Sequence, residues 1–115
     1  SVLVPHPFQL GFRLVRHPLE MRLQDMVKDY IVVSCLVTIC HIQKFLCRRY
    51  GLTDAVHSGF QLYVVLPNLN LWPLPIEISL HEVLQRYQLG DASSLDFRYR
   101  FAGELPPAVL TASPI

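Results

Sequence analysis

The stretch Tyr30 to Leu52, YIVVSCLVTICHIQKFLCRRYGL, constrains this chain more than any other. It reads as a β-strand that passes through a capping threonine into one amphipathic helix with a defined stop. Thr38 supplies a side-chain oxygen for the orphan N–H groups of the first helical turn. Ile39, Ile42, Phe45, Leu46 and Tyr50 recur at near-helical spacing, which predicts one buried stripe. Arg48 and Arg49 fall in the last turn, where cations suit the negative end of the helix dipole. Gly51 follows where a left-handed residue is wanted.

Around this unit the chain alternates. Phe8, Leu10, Phe12 and Leu14 share one face of a predicted strand, with Gln9, Gly11 and Arg13 on the other. His17-Pro18 ends it. Residues 19–27 fit either a short helical turn through Leu19, Leu23 and Met26 or a long hairpin connection, and an irregular loop is the favoured reading. A second strand runs from Lys28 to Cys35, rich in β-branched residues, with Ile31 and Val33 inward and Tyr30 and Val32 outward. After the helix, residues 53–59 read as a turn-rich loop. Phe60 to Leu66 is a third strand with Phe60, Leu62, Val64 and Leu66 inward. Prolines at 67, 73 and 75 leave room for at most a short edge strand near Asn70 to Trp72. Ser79 and Glu82 have the spacing of a capping box ahead of a short helix through Leu80, Val83, Leu84 and Tyr87. Leu95, Phe97, Tyr99 and Phe101 then alternate with Asp96, Arg98 and Arg100 in a closing strand.

The order strand, strand, helix, strand, edge strand, short helix, strand predicts an α+β fold, a ubiquitin-like β-grasp roll. A right-handed crossover would set the last strand beside the first and leave the second and fourth as borders. Residues 8–101 form the expected domain. Residues 1–7 are a flexible lead-in and residues 102–115 a disordered proline-rich tail.

Composition narrows the function classes. The chain has 115 residues, 51% of them apolar, enough for one core without staples. Ten Lys and Arg against nine acids give a formal charge of +1, with no basic stripe for direct nucleic-acid binding. No apolar run is long enough to span a bilayer. The chain opens with Ser rather than Met and without a basic-then-apolar leader, as expected of a fragment of a larger protein. Three cysteines without a CxxC pair favour reduced thiols over a disulfide framework. Cys40 and Cys47 with His41 do not reach the four closely spaced ligands of a structural zinc site, so no metal and no cofactor is expected. No GxGxxG, Walker loop, GxSxG or HExxH occurs, and the five histidines lie on separate elements, so no enzyme activity is expected.

Tyr30, Ile31, Ser34, Thr38, Ile39, His41, Ile42, Lys44, Phe45 and Leu46 resemble the strand-to-helix signature of the RAWUL domain. SLHEVLQRYQL and SSLDFRYRF resemble the short helix and closing strand that end ubiquitin-like domains. RAWUL is the ubiquitin-like C-terminal module of the Polycomb-group RING-finger proteins. The resemblance implies a nuclear subunit of a Polycomb-type RING ubiquitin ligase that acts on nucleosomal histone in transcriptional repression. Within it this domain would be a docking module, with the catalytic RING elsewhere.

The surface expected to dock a partner comprises Lys28, Tyr30, Val32 and Ser34 on the second strand. Tyr63 and Val65 join them, flanked by Arg13 and Arg98. Apolar positions rimmed by Arg, with Tyr among them, have the composition of binding hot spots. The second strand, as a border, offers unpaired backbone groups to a disordered segment of another Polycomb-complex subunit. Homo- or hetero-dimerisation by the same route is open. The rival is a Ras-association-type ubiquitin-like domain that engages a small GTPase through Arg13, Arg16, Arg22 and Lys28.

Overall fold

A computed structural model of the chain describes residues 6–26, 29–90 and 94–106. Five strands form one mixed sheet: β1 (Gln9–Arg16), β2 (Tyr30–Ser34), β3 (Phe60–Val65), β4 (Leu71–Pro73) and β5 (Ser94–Phe101). Two helices, α1 (Ile39–Arg49) and α2 (Leu80–Arg86), and a 3₁₀ turn at Asp54–Gly59 complete the domain. The strand order is β2-β1-β5-β3-β4. β1 and β5 run parallel at the centre and every other pair is antiparallel. This is the α+β roll that the element order predicts, with β2 and β4 as its borders.

One face of the sheet carries the core. Phe12, Leu14, Phe60, Leu62, Val64, Phe97 and Tyr99 are buried against Ile39, Ile42, Leu46 and Cys47 of α1. Phe12 meets Phe97 at 5.5 Å between ring centroids, and Phe60 meets Phe101 at 4.9 Å edge-on, both within favourable aromatic range.

The cap of α1 is fuller than the sequence suggests. Thr38 Oγ1 accepts the His41 N–H at 3.3 Å, and His41 Nδ1 accepts the Thr38 N–H at 3.1 Å, so histidine takes the part usual for Glu. Ile39 and Cys40 donate their N–H groups to Ile78 and Ile76 carbonyls of the proline-rich connection. At the other end Gly51 adopts φ +72°, and Leu52 and Gly51 donate to the Cys47 and Arg48 carbonyls, the two bonds of a Schellman stop.

The predicted stripe is corrected at one position. Phe45 is 38% exposed, while Gln43 and Cys47 are buried. At about 100° per residue, Ile42, Ile39, Leu46, Gln43 and Cys47 share one arc and Phe45 falls about 60° beyond its edge. Gln43 Nε2 donates to the Phe60 carbonyl at 2.8 Å, on the side of β3 that the short β4 does not cover.

Two expected boundaries also shift. The second strand ends at Ser34 rather than Cys35, and its expected start at Lys28 lies outside the described residues. The domain does not stop at Phe101, because Leu105 is buried and Arg22 donates to the Gly103 carbonyl. Residues 1–5 of the expected lead-in and 107–115 of the expected tail lie outside the described residues.

Candidate functional site

The geometry of β2 decides what this domain offers. Leu14 donates to the Asp29 carbonyl and Cys35 to the Phe8 carbonyl, so odd-numbered residues of this segment turn their backbone groups toward β1. Alternation then turns the N–H and C=O groups of Tyr30 and Val32, and the Ser34 N–H, to the open side of the sheet. The Ser34 carbonyl is taken by Val37 N–H in the following turn. The side chains of Tyr30 and Val32 are each 53% exposed, and Ser34 is also exposed. One row of residues therefore presents accessible apolar surface together with backbone groups that have no partner among the described residues.

Nothing within Tyr30–Ser34 blunts this border, for it holds neither charge nor proline. The opposite border differs: β4 has three residues and ends in Pro73.

Tyr30 is held rather than loose. A Cβ built on Gly11 would overlap the Tyr30 ring and hydroxyl, so the ring occupies the space over the one position of β1 that has no side chain. Gly11 faces Val32 directly, which makes Tyr30 its diagonal neighbour. A glycine inside a strand pattern signals such a close approach, and that signal was present in the sequence without identifying its partner.

The remaining residues of the expected surface split into two groups. Arg13 sits opposite Tyr30 and pairs with Asp29 at 3.1 Å, close to β2. Tyr63 and Arg98 face each other on β3 and β5, in the row of Val15, two to three strands from the border. Arg98 is ion-paired with Asp96, and Tyr63 donates to Gln61 Oε1 at 3.0 Å. Val65 lines a shallow hollow with Leu66, Leu69, Leu89 and Leu95, away from β2. The single apolar cluster expected on the outer face is thus a β2 border plus a separate, more polar patch. Side-chain alternation placed all of them on one face, but only the strand order separates them.

Of the basic residues assigned to a GTPase interface, Arg13, Arg16 and Arg22 are engaged within the domain, and Lys28 lies outside the described residues. Arg13 pairs with Asp29, and Arg16 lies 3.4 Å from Asp25 and donates to the Leu23 carbonyl. Arg22 pairs with Glu20 and reaches the Phe101 and Gly103 carbonyls. Among the described residues, no group of three His, Cys, Asp or Glu is placed to hold a metal. No described helix is long and apolar enough to cross a membrane.

No family model and no curated protein matches the chain. Among solved structures it resembles the crystal structure of Trypanosoma brucei ATG8, with a TM-score of 0.56 over 85% of this chain and 77% of that one. The fold is ubiquitin-like. Sequence identity to that ATG8 is 14%, so the likeness concerns the path of the chain. The ubiquitin-like domain described here keeps the mixed sheet with a parallel central pair and places its unpaired border on β2.

Proposed function

We propose that this ubiquitin-like domain is a protein-docking module whose β2 border accepts an extended segment of a partner protein as a sixth strand. The observation that carries the reading is the outward row of backbone groups at Tyr30 and Val32, flanked by half-exposed side chains of the same residues. Main-chain pairing would supply affinity there, and the accessible Tyr30 and Val32 side chains would supply selectivity. Burial of that apolar area offsets the ordering of the incoming segment.

The RAWUL-like run from Tyr30 to Leu46 supports a more specific setting. In it the domain is an assembly module of a nuclear Polycomb-type RING ubiquitin ligase, and the strand comes from another subunit of that complex. The Ras-association alternative has no comparable support, because Arg13, Arg16 and Arg22 are already bound intramolecularly.

The docking reading is tested by the double variant Tyr30→Ala, Val32→Asp. It is expected to stay folded and to lose binding of purified disordered segments from Polycomb subunits. Unchanged affinity in the folded variant refutes the site. The Polycomb setting is checked separately, by whether the full-length protein carries a RING finger upstream of Ser1.

A further inference from the structure

The second patch on the outer face has a charge distribution of its own. Alternation along β5 buries Leu95, Phe97, Tyr99 and Phe101 and turns Asp96, Arg98 and Arg100 outward. Of the strand arginines, Arg13, Arg16 and Arg98 each have a carboxylate partner. The Arg100 side chain has neither ion pair nor hydrogen bond among the described residues. It faces Gln61 across β3, next to the Tyr63–Arg98 row.

His17 completes the patch. Its backbone N–H extends the β1–β5 ladder to the Tyr99 carbonyl, and its ring packs on Tyr63 at 5.2 Å between centroids. His17 Nδ1 accepts the Leu19 N–H at 3.0 Å. That bond fixes the neutral tautomer with its proton on Nε2, and Nε2 has no partner among the described residues. Two arginines, one of them without a carboxylate partner among the described residues, therefore stand beside an imidazole whose N–H donor has no described partner.

We propose that Arg100 and His17, with Arg98 at the rim and Tyr63 holding the imidazole in place, form an anion-binding cluster for an acidic side chain of the docking partner. The occupant follows from charge complementarity: cationic groups and a neutral donor lie together, and among the described residues Arg100 has no carboxylate of its own. Among the described residues, the groups facing His17 are Arg98 and Arg100 on β5, Tyr63 on β3 and Glu20 on the following loop. The Glu20 charge is taken up by Arg22. Burial, Arg100 and Arg98 hold the His17 imidazole below its ordinary value against the opposing pull of Glu20. A bound anion reverses that balance.

The proposal rests on the β2 docking reading for its occupant, and it fixes where the acid lies in the partner. The cluster is four residues along β1 from the Arg13–Tyr30 row and three strand spacings from an added sixth strand. At 4.8 Å between strands and 3.3 Å per residue that distance is about 20 Å. It corresponds to about six extended residues beyond the docked segment, on the side of Tyr30.

Sulfate is a suitable probe because it does not titrate near His17. The His17 titration midpoint, read by NMR on the intact domain, is expected to rise in sodium sulfate more than in sodium chloride of equal ionic strength. In Arg100→Gln the midpoint starts higher, because a repelling cation is gone, and the sulfate-specific rise disappears. Sulfate binding weakens by about tenfold or more on loss of the charge-assisted bond. Equal shifts in both salts, or a sulfate-specific rise that survives in Arg100→Gln, overturn the anion site. Val32→Asp separates this from the docking reading, since it removes strand binding and leaves the sulfate response intact. Absence of a sulfate-specific rise in the wild-type domain, with strand docking intact, refutes the anion site alone.

Discussion

The Glu20 carboxylate accepts the backbone N–H of Phe101 at 2.9 Å, eighty-one residues along the chain. Its side chain is 1% exposed and lies 2.9 Å from the Arg22 guanidinium. Arg22 in turn donates to the Phe101 carbonyl. Where His17-Pro18 breaks β1, a carboxylate and a guanidinium thus stand in for the acceptor and donor of the missing strand residue. This pair joins the loop after β1 to the end of β5 and to the Gly103 carbonyl beyond it.

Removing either half leaves a buried polar group unpaired. Glu20→Ala is expected to destabilise the domain by about 1 to 3 kcal/mol, the cost of leaving the Phe101 N–H without an acceptor in the interior. Urea unfolding checks this, and a loss under about 0.5 kcal/mol, the range of an ordinary surface substitution, would refute the strand-mimic role.

The same carboxylate sets an acid limit. Burial pushes Glu20 upward, but the Arg22 side chain, the Phe101 N–H and the Arg22 N–H together outweigh it and hold the group below its ordinary 4.5. A carboxyl group lowered on folding contributes stability above its unfolded value, and that contribution fades as pH falls through its folded value. Stability measured from pH 6 downward should decline more steeply in wild type than in Glu20→Gln. Parallel profiles would contradict this assignment.

A second buried pair sets the alkaline side. The Tyr50 hydroxyl donates to the Gln24 carbonyl and shares a hydrogen bond with the Tyr99 hydroxyl. Burial raises both phenols above their ordinary value of 10.0, and for Tyr99 the Tyr50 hydroxyl adds to the rise. Protonated tyrosines favoured by folding stabilise fully below the unfolded value and progressively less as pH climbs past it toward the folded one. Tyr50→Phe is expected to cost about 1 to 2 kcal/mol at neutral pH, because Tyr99 loses its partner in the core. It should also flatten the stability loss above pH 10, as read by thermal unfolding in alkaline buffers.

Two exposed or half-exposed residues hold backbone that suits glycine. Leu69, at φ +69°, is 80% exposed at the tip of the β3–β4 hairpin, and Gln88, at φ +57°, follows the last turn of α2. Both are left-handed positions that a Cβ disfavours. Leu69→Gly and Gln88→Gly are each expected to raise stability by about 0.5 to 1 kcal/mol, and jointly by the sum because they sit on separate turns. A melting temperature that does not rise in either variant would count against these strained conformations.

Gly11 gives the opposite expectation. A strand glycine replaced by alanine ordinarily gains stability. Here the new methyl must displace the Tyr30 ring, and Gly11→Ala is expected to lose about 1 kcal/mol of stability as that contact is forced apart. Pairing it with Tyr30→Ala should recover most of the loss. A destabilisation that persists in the double variant would place its cause elsewhere.

Local order was written in the sequence. Thr38, Gly51, the Ser79–Glu82 spacing and the alternation of Leu95 to Phe101 each specify a cap, a stop or a face through contacts a few residues apart. The element order followed from them, and with it the ubiquitin-like roll and the two borders. Phe45 shows the limit of that reading, since apolarity nominates a residue for the core while the arc facing the sheet admits only some of the nominees.

Tertiary structure alone decided what the loop and the outer face do. Glu20 and Arg22 look like ordinary surface charges until β5 arrives beside them, and Tyr30 finds Gly11 only because β1 and β2 pair in one register. The separation of Tyr63 and Arg98 from the β2 border depends on β5 inserting between β1 and β3. These relationships link residues far apart along the chain, and a local pattern holds no record of which distant backbone will supply the missing donor, acceptor or neighbour.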